Sequence, residues 1–461
     1  MIMSSISFLY FFLPVFVGVY ALTPARHRAK TLILGEAVFL GWGSPLTLIP
    51  IFVSSMCAYL LGMLIDNRRN DKRGKAKMLI AALSVELSFI AIAVLSNVGV
   101  FGSENYIKKM FSPLGVFVYT LGAMSYCIDI FKGKMRCDHR FTLVAAFVGY
   151  FPCLTAGPLM RYGDVAAQLE SPKITADKMS RGISLYLKGL AEKCVLSMLI
   201  SDLWQQLIKL DIGGVSAITA WIGLTAAGMY VYFEYASITH MASGISLMLG
   251  ITLPENFEHP FMVKSVTELV KKFNAAVTAW FIDYIYKPIS REGKTRSFTA
   301  LAAFVTGISL SLWYGAGLSK LMFGVYMGVI FLIETAFLGK ILKKLPYAAS
   351  MVITMILVHI GFVFFITDDT GVAISYILAV FGRNGMLIDN LTLYFFENFA
   401  VIMAICIFIT TGLADLIYKK LEGAHIGFLP FIRPLWQLTL LVLATAFLSG
   451  APQSFLGLIS V

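Results

Sequence analysis

"YFEYASITHMASGISLMLGITLPENFEHPF" (232–261), followed by "KKFNAAVTAWFIDYIYKPI" (271–289), is the stretch on which the fold turns. Its first part reads as an apolar helix in which Glu234 and His240 are the ionisable side chains, closed by a turn at "PENF" (254–257). From 251 to 298, aromatic, charged and apolar residues mix too closely for a plain spanning helix. Polar backbone at membrane depth is stable only when buried in protein or lining a water-filled cavity. This segment is therefore expected to border a functional cavity. A cytoplasmic amphipathic loop is the simpler alternative.

Outward from that stretch the chain becomes more apolar. It has 461 residues, 58% hydrophobic and 14% charged, with a mean hydropathy of +0.80. Soluble domains carry far more polar surface. Candidate spans lie near 6–22, 45–65, 78–97, 110–130, 141–160, 184–200, 216–250, 299–337, 347–367, 393–417 and 434–450. These predict an all-α polytopic membrane protein with roughly eleven spanning or re-entrant helices. The first run lacks a basic lead and a small-residue cleavage site, so it reads as a retained helix.

Basic residues give the orientation. Arg26, Arg28 and Lys30 form one basic loop, Arg68 to Lys77 another, and Lys132, Lys134, Arg136 and Arg140 a third. Lys340, Lys343 and Lys344 form the next, and Lys419, Lys420 and Arg433 the last. All are expected to face the cytoplasm. "GWGSP" (41–45) is then an outer turn, the acidic pair Asp368 and Asp369 lies outside, and so do both termini.

The net charge of +11 sits in short loops between spans. It points to anionic lipid headgroups as partners and away from nucleic acid. Cys57, Cys127, Cys137, Cys153, Cys194 and Cys406 have no metal-ligand or redox spacing and read as packing residues. No metal is expected. No domain boundary or internal repeat is visible, so 1–461 reads as one transmembrane domain, and a transporter or flippase has little support. No Walker loop, HExxH or GxSxG is present.

The opening stretch resembles the membrane-bound O-acyltransferase (MBOAT) family, in its branch of alginate O-acetyltransferase membrane subunits and teichoic acid D-alanyl transferases. "FFLPVFVGVYALTP", the Trp-Gly turn at 42–43, "FPCLTAGPLMRYGDV" (151–165), "LWYGA" (312–316) and "GFVFFITDD" (361–369) follow in the family's order. The resemblance implies a ring or funnel of tilted helices. It implies transfer of an acetyl or similar group from a cytoplasmic thioester, acetyl-CoA or an acyl carrier, toward a hydroxyl of a surface polysaccharide. No tightly bound cofactor is implied. An extracytoplasmic acyl-handling partner protein is.

The match departs at the reactive positions. Tyr314 stands where the family has its invariant His, Asn274 where it has the His of an Arg-Arg-Trp-His helix, and His240 where it has an Asp. Glu234 replaces an Asp, Ile282 an Arg, and Ile366 a frequent Arg, whereas Pro254, Glu255, Asn256, Phe257, Trp280, Asp283, Tyr284, Tyr286 and Pro288 match. A phenol with pKa about 10 is a poor base at neutral pH, whereas imidazole is a good one. Asn274 does not titrate, but an amide donor in an oxyanion site is worth about 3 kcal/mol.

Three readings follow for catalysis by Tyr314, Asn274 and His240. His240 takes over as base, its simpler role being a hydrogen bond to a neighbouring helix. Alternatively, the Tyr314 hydroxyl carries the acyl group as an ester. In the third reading transfer chemistry is lost, and the scaffold binds a lipid, an acyl donor or a partner protein.

The resemblance also makes Trp313, Glu255, Asn256, Trp280, Asp283 and Arg161 candidate substrate-binding residues. Arg161 at a membrane edge equally suits snorkelling or holding a donor phosphate or anionic lipid. Asp283 suits a helix terminus or pairing with a base. Lys271 and Lys272 suit either interfacial anchoring or a phosphopantetheine. His259 reads as a surface residue, and His359 as a helix–helix hydrogen bond. His27, His139 and His425 read as solvated. Gly324 and Gly328 form a GxxxG pair suited to close helix packing.

Overall fold

The computed structural model of the chain describes residues 1–450, apart from 98–99, 101–105, 112, 211, 292–294, 316, 368, 415, 418–419 and 421–428. Ala316, Asp368, Lys419, His425 and the C-terminal end therefore lie outside the described residues, as does the side chain of Arg433. The described chain is helical, with an isolated bridge between Phe257 and Phe273. Among the described residues, five helices are long and apolar enough to cross a membrane: Pro45–Asn67, Lys72–Asn97, Leu318–Lys344, Tyr347–Ile366 and Asn390–Thr410. Shorter apolar helices accompany them, among them Phe8–Leu22, Gly115–Phe131 and Ser297–Trp313. The protein is a multi-pass membrane protein.

Two compact units emerge, one of Met1–Gly189 with Ile238–Pro254, the other of Leu190–Ser237 with Glu255–Ser460. In the first, Leu48–Asn67, Lys72–Asn97 and Pro113–Phe131 pack together. Ser54 holds the buried carboxylate of Glu86 there, at 2.9 Å to each oxygen. Edge-on and tilted rings of Phe8, Phe12, Phe39 and Phe151 fill its aromatic core. Its basic loop is tied by Tyr162, which donates to Asp138 at 2.7 Å, and by Arg140, paired with Asp138 at 2.9 Å and with Glu170.

In the second unit, the single apolar run expected over 299–337 is two helices, Arg296–Trp313 and Leu318–Ile333. They cross closely: a Cβ on Gly307 would lie 2.7 Å from the Gly328 amide nitrogen. The tight packing expected of Gly324 and Gly328 is thus present, and its partner is Arg296–Trp313. The turn between the helices carries Tyr314, whose amide bonds Ser311 O at 3.0 Å. The expected span at 184–200 is instead the amphipathic helix Ala176–Ala191, a wide π turn Glu192–Ser197 and the helix Met198–Ile208. Lys188, Glu192 and Lys193 interrupt the apolar run, and Glu192 and Lys193 are buried. The long helix Ala217–Met248 is continuous; its residues to Ser237 go with the second unit and the rest with the first.

The mixed stretch from 251 onward forms a short helix, Val266–Lys272, and, after a kink at Phe273 and Asn274, a second helix running without a break through Ala275–Phe281, the π segment Ile282–Tyr286 and Lys287–Ser290. Neither is long enough to span a bilayer.

Candidate functional site

Asn274 begins the geometry. It stands in the left-handed conformation (φ 57°, ψ 50°) between Val266–Lys272 and Ala275–Phe281. Asn is among the few residues that tolerate this region. The kink breaks a helix that would otherwise run on, and turns the Asn274 side chain, 1% exposed, inward.

A directional chain of hydrogen bonds follows. The Ala276 N–H donates to Asn256 Oδ1 at 2.8 Å. A backbone amide can only donate, so that oxygen is fixed as acceptor and the Asn256 nitrogen must donate. Asn256 Nδ2 does so, to Asn274 Oδ1 at 2.7 Å. The remaining Asn274 nitrogen then donates to the Tyr314 hydroxyl oxygen at 3.4 Å. Each member polarises the next. Tyr314 Oη receives a hydrogen bond, and its own proton is left to be donated onward.

The Tyr314 ring sits edge-on to two others, Tyr235 at 4.9 Å between centroids and Phe365 at 5.2 Å. Lys320 lies 4.2 Å from the Phe365 centroid and bonds that residue's carbonyl. Beside Tyr314 is a partly open apolar pocket, bordered also by Val270, Leu310, Ser311, Met327 and Phe362.

One residue before Tyr235, Glu234 lies 1% exposed. Lys193 Nζ holds its carboxylate at 2.6 Å and Ser197 Oγ donates to it as well. Buried charges are costly unless paired. Lys193 went unnoticed in the sequence because it stands in a run that scans as an apolar span. The adjacent Glu192–Lys193 pair inside that run was the available signal.

Of the residues singled out in the sequence, Tyr314, Asn274 and Asn256 come together in this relay. Trp313 precedes Tyr314 and is 1% exposed. Glu255 is exposed. Trp280 is buried on Tyr284, 4.9 Å between centroids. Asp283 pairs with Lys287 one turn on, at 2.5 Å. Arg161 stands immediately before the helix Tyr162–Glu170 in the first unit, in extended backbone conformation. His240 is half-buried on the part of the long helix that goes with the first unit.

His359 bonds the carbonyl of Met355 on its own helix at 2.7 Å and stacks on Phe261, so the expected interhelical bond is intrahelical. His259 is half-buried with φ 44°. A Cβ on Gly412 would lie 2.5 Å from its ring, so it packs against backbone where an exposed side chain was expected.

A phenol donor, polarised by two amides and set beside an apolar pocket, suits stabilising negative charge on a carbonyl oxygen next to a hydrocarbon. The model of the membrane-bound O-acyltransferase family matches residues 85–379. The chain belongs to that family. The probable alginate O-acetylase AlgI of Pseudomonas aeruginosa is 29% identical to it, over 81% of this chain and 73% of that protein. The peptidoglycan O-acetyltransferase of Helicobacter pylori is 21% identical, over 84% and 80%. The teichoic acid D-alanyltransferase of Streptococcus thermophilus is 22% identical, over 55% and 64%. The acyl donor of such a family is a substrate, not a held cofactor. Membership accounts for the polytopic helical architecture and places this MBOAT chain among proteins named for modifying polymers of the cell envelope.

Proposed function

We propose that the protein transfers an acyl group from a thioester, acetyl-CoA or an acyl carrier, toward a hydroxyl of an envelope polysaccharide. The acyl group passes to the polymer directly or through an acyl-handling partner outside the bacterial plasma membrane, with membrane lipids as its surroundings. The observation that carries this reading is the Ala276–Asn256–Asn274 relay ending on Tyr314. Tyr314 acts as hydrogen-bond donor to the thioester oxygen as oxygen attacks carbon. The C–S bond breaks, a C–O bond forms, and the hydroxyl proton ends on the departing sulfur, giving free thiol. In this scheme the leaving thiolate takes the proton that the family's histidine would have handled.

A binding-only scaffold is the second reading. It is favoured by one observation: Asn256, Asn274 and Tyr314 offer no group that ionises near neutral pH.

Purified protein in lipid nanodiscs, given acetyl-CoA with and without polysaccharide, is expected to release free thiol. Tyr314→Phe should lower that release about 100-fold, the usual loss of one oxyanion donor. Wild-type protein that releases no thiol but binds the thioester would instead establish the scaffold. Equal rates for Tyr314→Phe and wild type would remove Tyr314 from the reaction.

A further inference from the structure

The helix Asn390–Thr410 packs on Met198–Ile208 and buries Thr392, Phe395, Cys406 and Thr410. Helical periodicity puts these four on one side. The opposite side carries Leu393, Glu397, Val401, Ala404, Ile405 and Phe408, all exposed and strung over about 23 Å. Glu397 is thus an acidic side chain on an otherwise apolar face. Its neighbour Asn398 satisfies its own amide by donating to Tyr394 O at 2.7 Å. Among the described residues, none hydrogen-bonds or pairs with the Glu397 carboxylate. Apolar side chains are exposed to either side of it along the chain, Leu387, Ile388 and Leu393 before, Val401 and Ile405 after. Glu397 therefore does not mark a polar end of the helix.

An acidic group facing hydrocarbon is expensive, and such groups pair with an opposite charge or a polar partner. The helix is fixed at its start, where Asp389 accepts from Thr219 Oγ1 at 2.7 Å and from the Ser216 N–H at 2.9 Å. The face is therefore held in place for a partner. A second copy of the chain suits it poorly. A two-fold axis along the membrane normal would set Glu397 against Glu397 at one depth, and like charges repel. We propose that this face is covered by a membrane-spanning helix of another protein, carrying a lysine or arginine at the depth of Glu397. Ala404 leaves room for close approach on that face. The inference does not depend on the Tyr314 chemistry and stands whether or not acyl transfer occurs.

The test places the full chain in phosphatidylcholine vesicles with a dansyl-labelled helix of leucine and alanine, long enough to span. The probe helix bears lysine, leucine or aspartate at the matching depth. Energy transfer from the protein's tryptophans reads binding. Wild type is expected to bind the lysine helix about tenfold more tightly than the leucine helix. Glu397→Leu should abolish that preference, and Glu397→Lys should shift it to the aspartate helix. Either variant suffices should the other not fold. Equal binding of the lysine and leucine helices by wild type overturns the inference. So does a lysine preference that survives in a folded Glu397 variant. Disulfide-linked pairs formed at high lipid-to-protein ratio by Val401→Cys, and not by wild type, would overturn it too, by placing a second copy on this face.

Discussion

Asn274 does two separable jobs. Its backbone holds φ 57°, and its side chain passes a hydrogen bond from Asn256 to Tyr314. Replacing it by Gly keeps the kink and deletes the relay, whereas Ala deletes the relay and strains the kink. A left-handed residue with a Cβ costs about 1 kcal/mol or more relative to glycine. Asn274→Ala should therefore melt below Asn274→Gly, while both lower thiol release alike. Equal melting temperatures would mean that the kink imposes no strain. "KKFNAAVTAW" shows an Asn in a helix-like run, and nothing in that run marks it as the point where the helix breaks.

At the level of packed elements, the informative contact joins Glu192–Ser197 to Ala217–Met248. There Lys193 and Glu234 form an ion pair with side chains 7% and 2% exposed. Removing one member leaves a buried charge uncompensated, at a cost of about 3–5 kcal/mol, whereas replacing both by apolar residues is often near neutral. Lys193→Met alone should thus destabilise strongly, and Lys193→Met with Glu234→Leu should recover most of the loss. Additive losses in the double variant would show that the pair is not what holds these elements. Hydropathy scanning missed this contact because an average over a window cannot say which charges will find partners. Conversely, the helix pair within 299–337 was hidden by uniform apolarity. Its break at Tyr314 and Gly315, where φ reaches 133°, is a matter of local backbone conformation.

Across the whole molecule, acid should loosen both units. In the first, burial opposes ionisation of Asp138, but hydrogen bonds from Arg140 and Tyr162 hold its carboxyl below the ordinary 3.8. In the second, burial likewise opposes ionisation of Asp389. Hydrogen bonds from Thr219, Ser216 N–H and Thr392 prevail and hold its carboxyl well below that value. Both folded values are depressed, so both contributions are complete above the ordinary value and vanish as pH falls through the folded ones. Melting temperature should fall from about pH 5 downward, and less steeply for Asp389→Asn, which cannot titrate. Parallel acid profiles for the two proteins would remove Asp389 from the effect.

Composition and the spacing of charges were enough to establish a polytopic all-helical membrane protein. Short motifs in order were enough for its family, because hydrophobic run length and motif order are properties of the chain alone. Asn256, Asn274 and Tyr314 could be named as candidates from their places in those motifs. That they form one relay, with its direction set by the Ala276 amide, required the folded chain. Hydrogen-bond direction depends on which backbone group lies opposite each amide. The apolar pocket and the Lys193–Glu234 pair also belong to three-dimensional packing, since both arise from side chains far apart in sequence whose meeting no local pattern encodes.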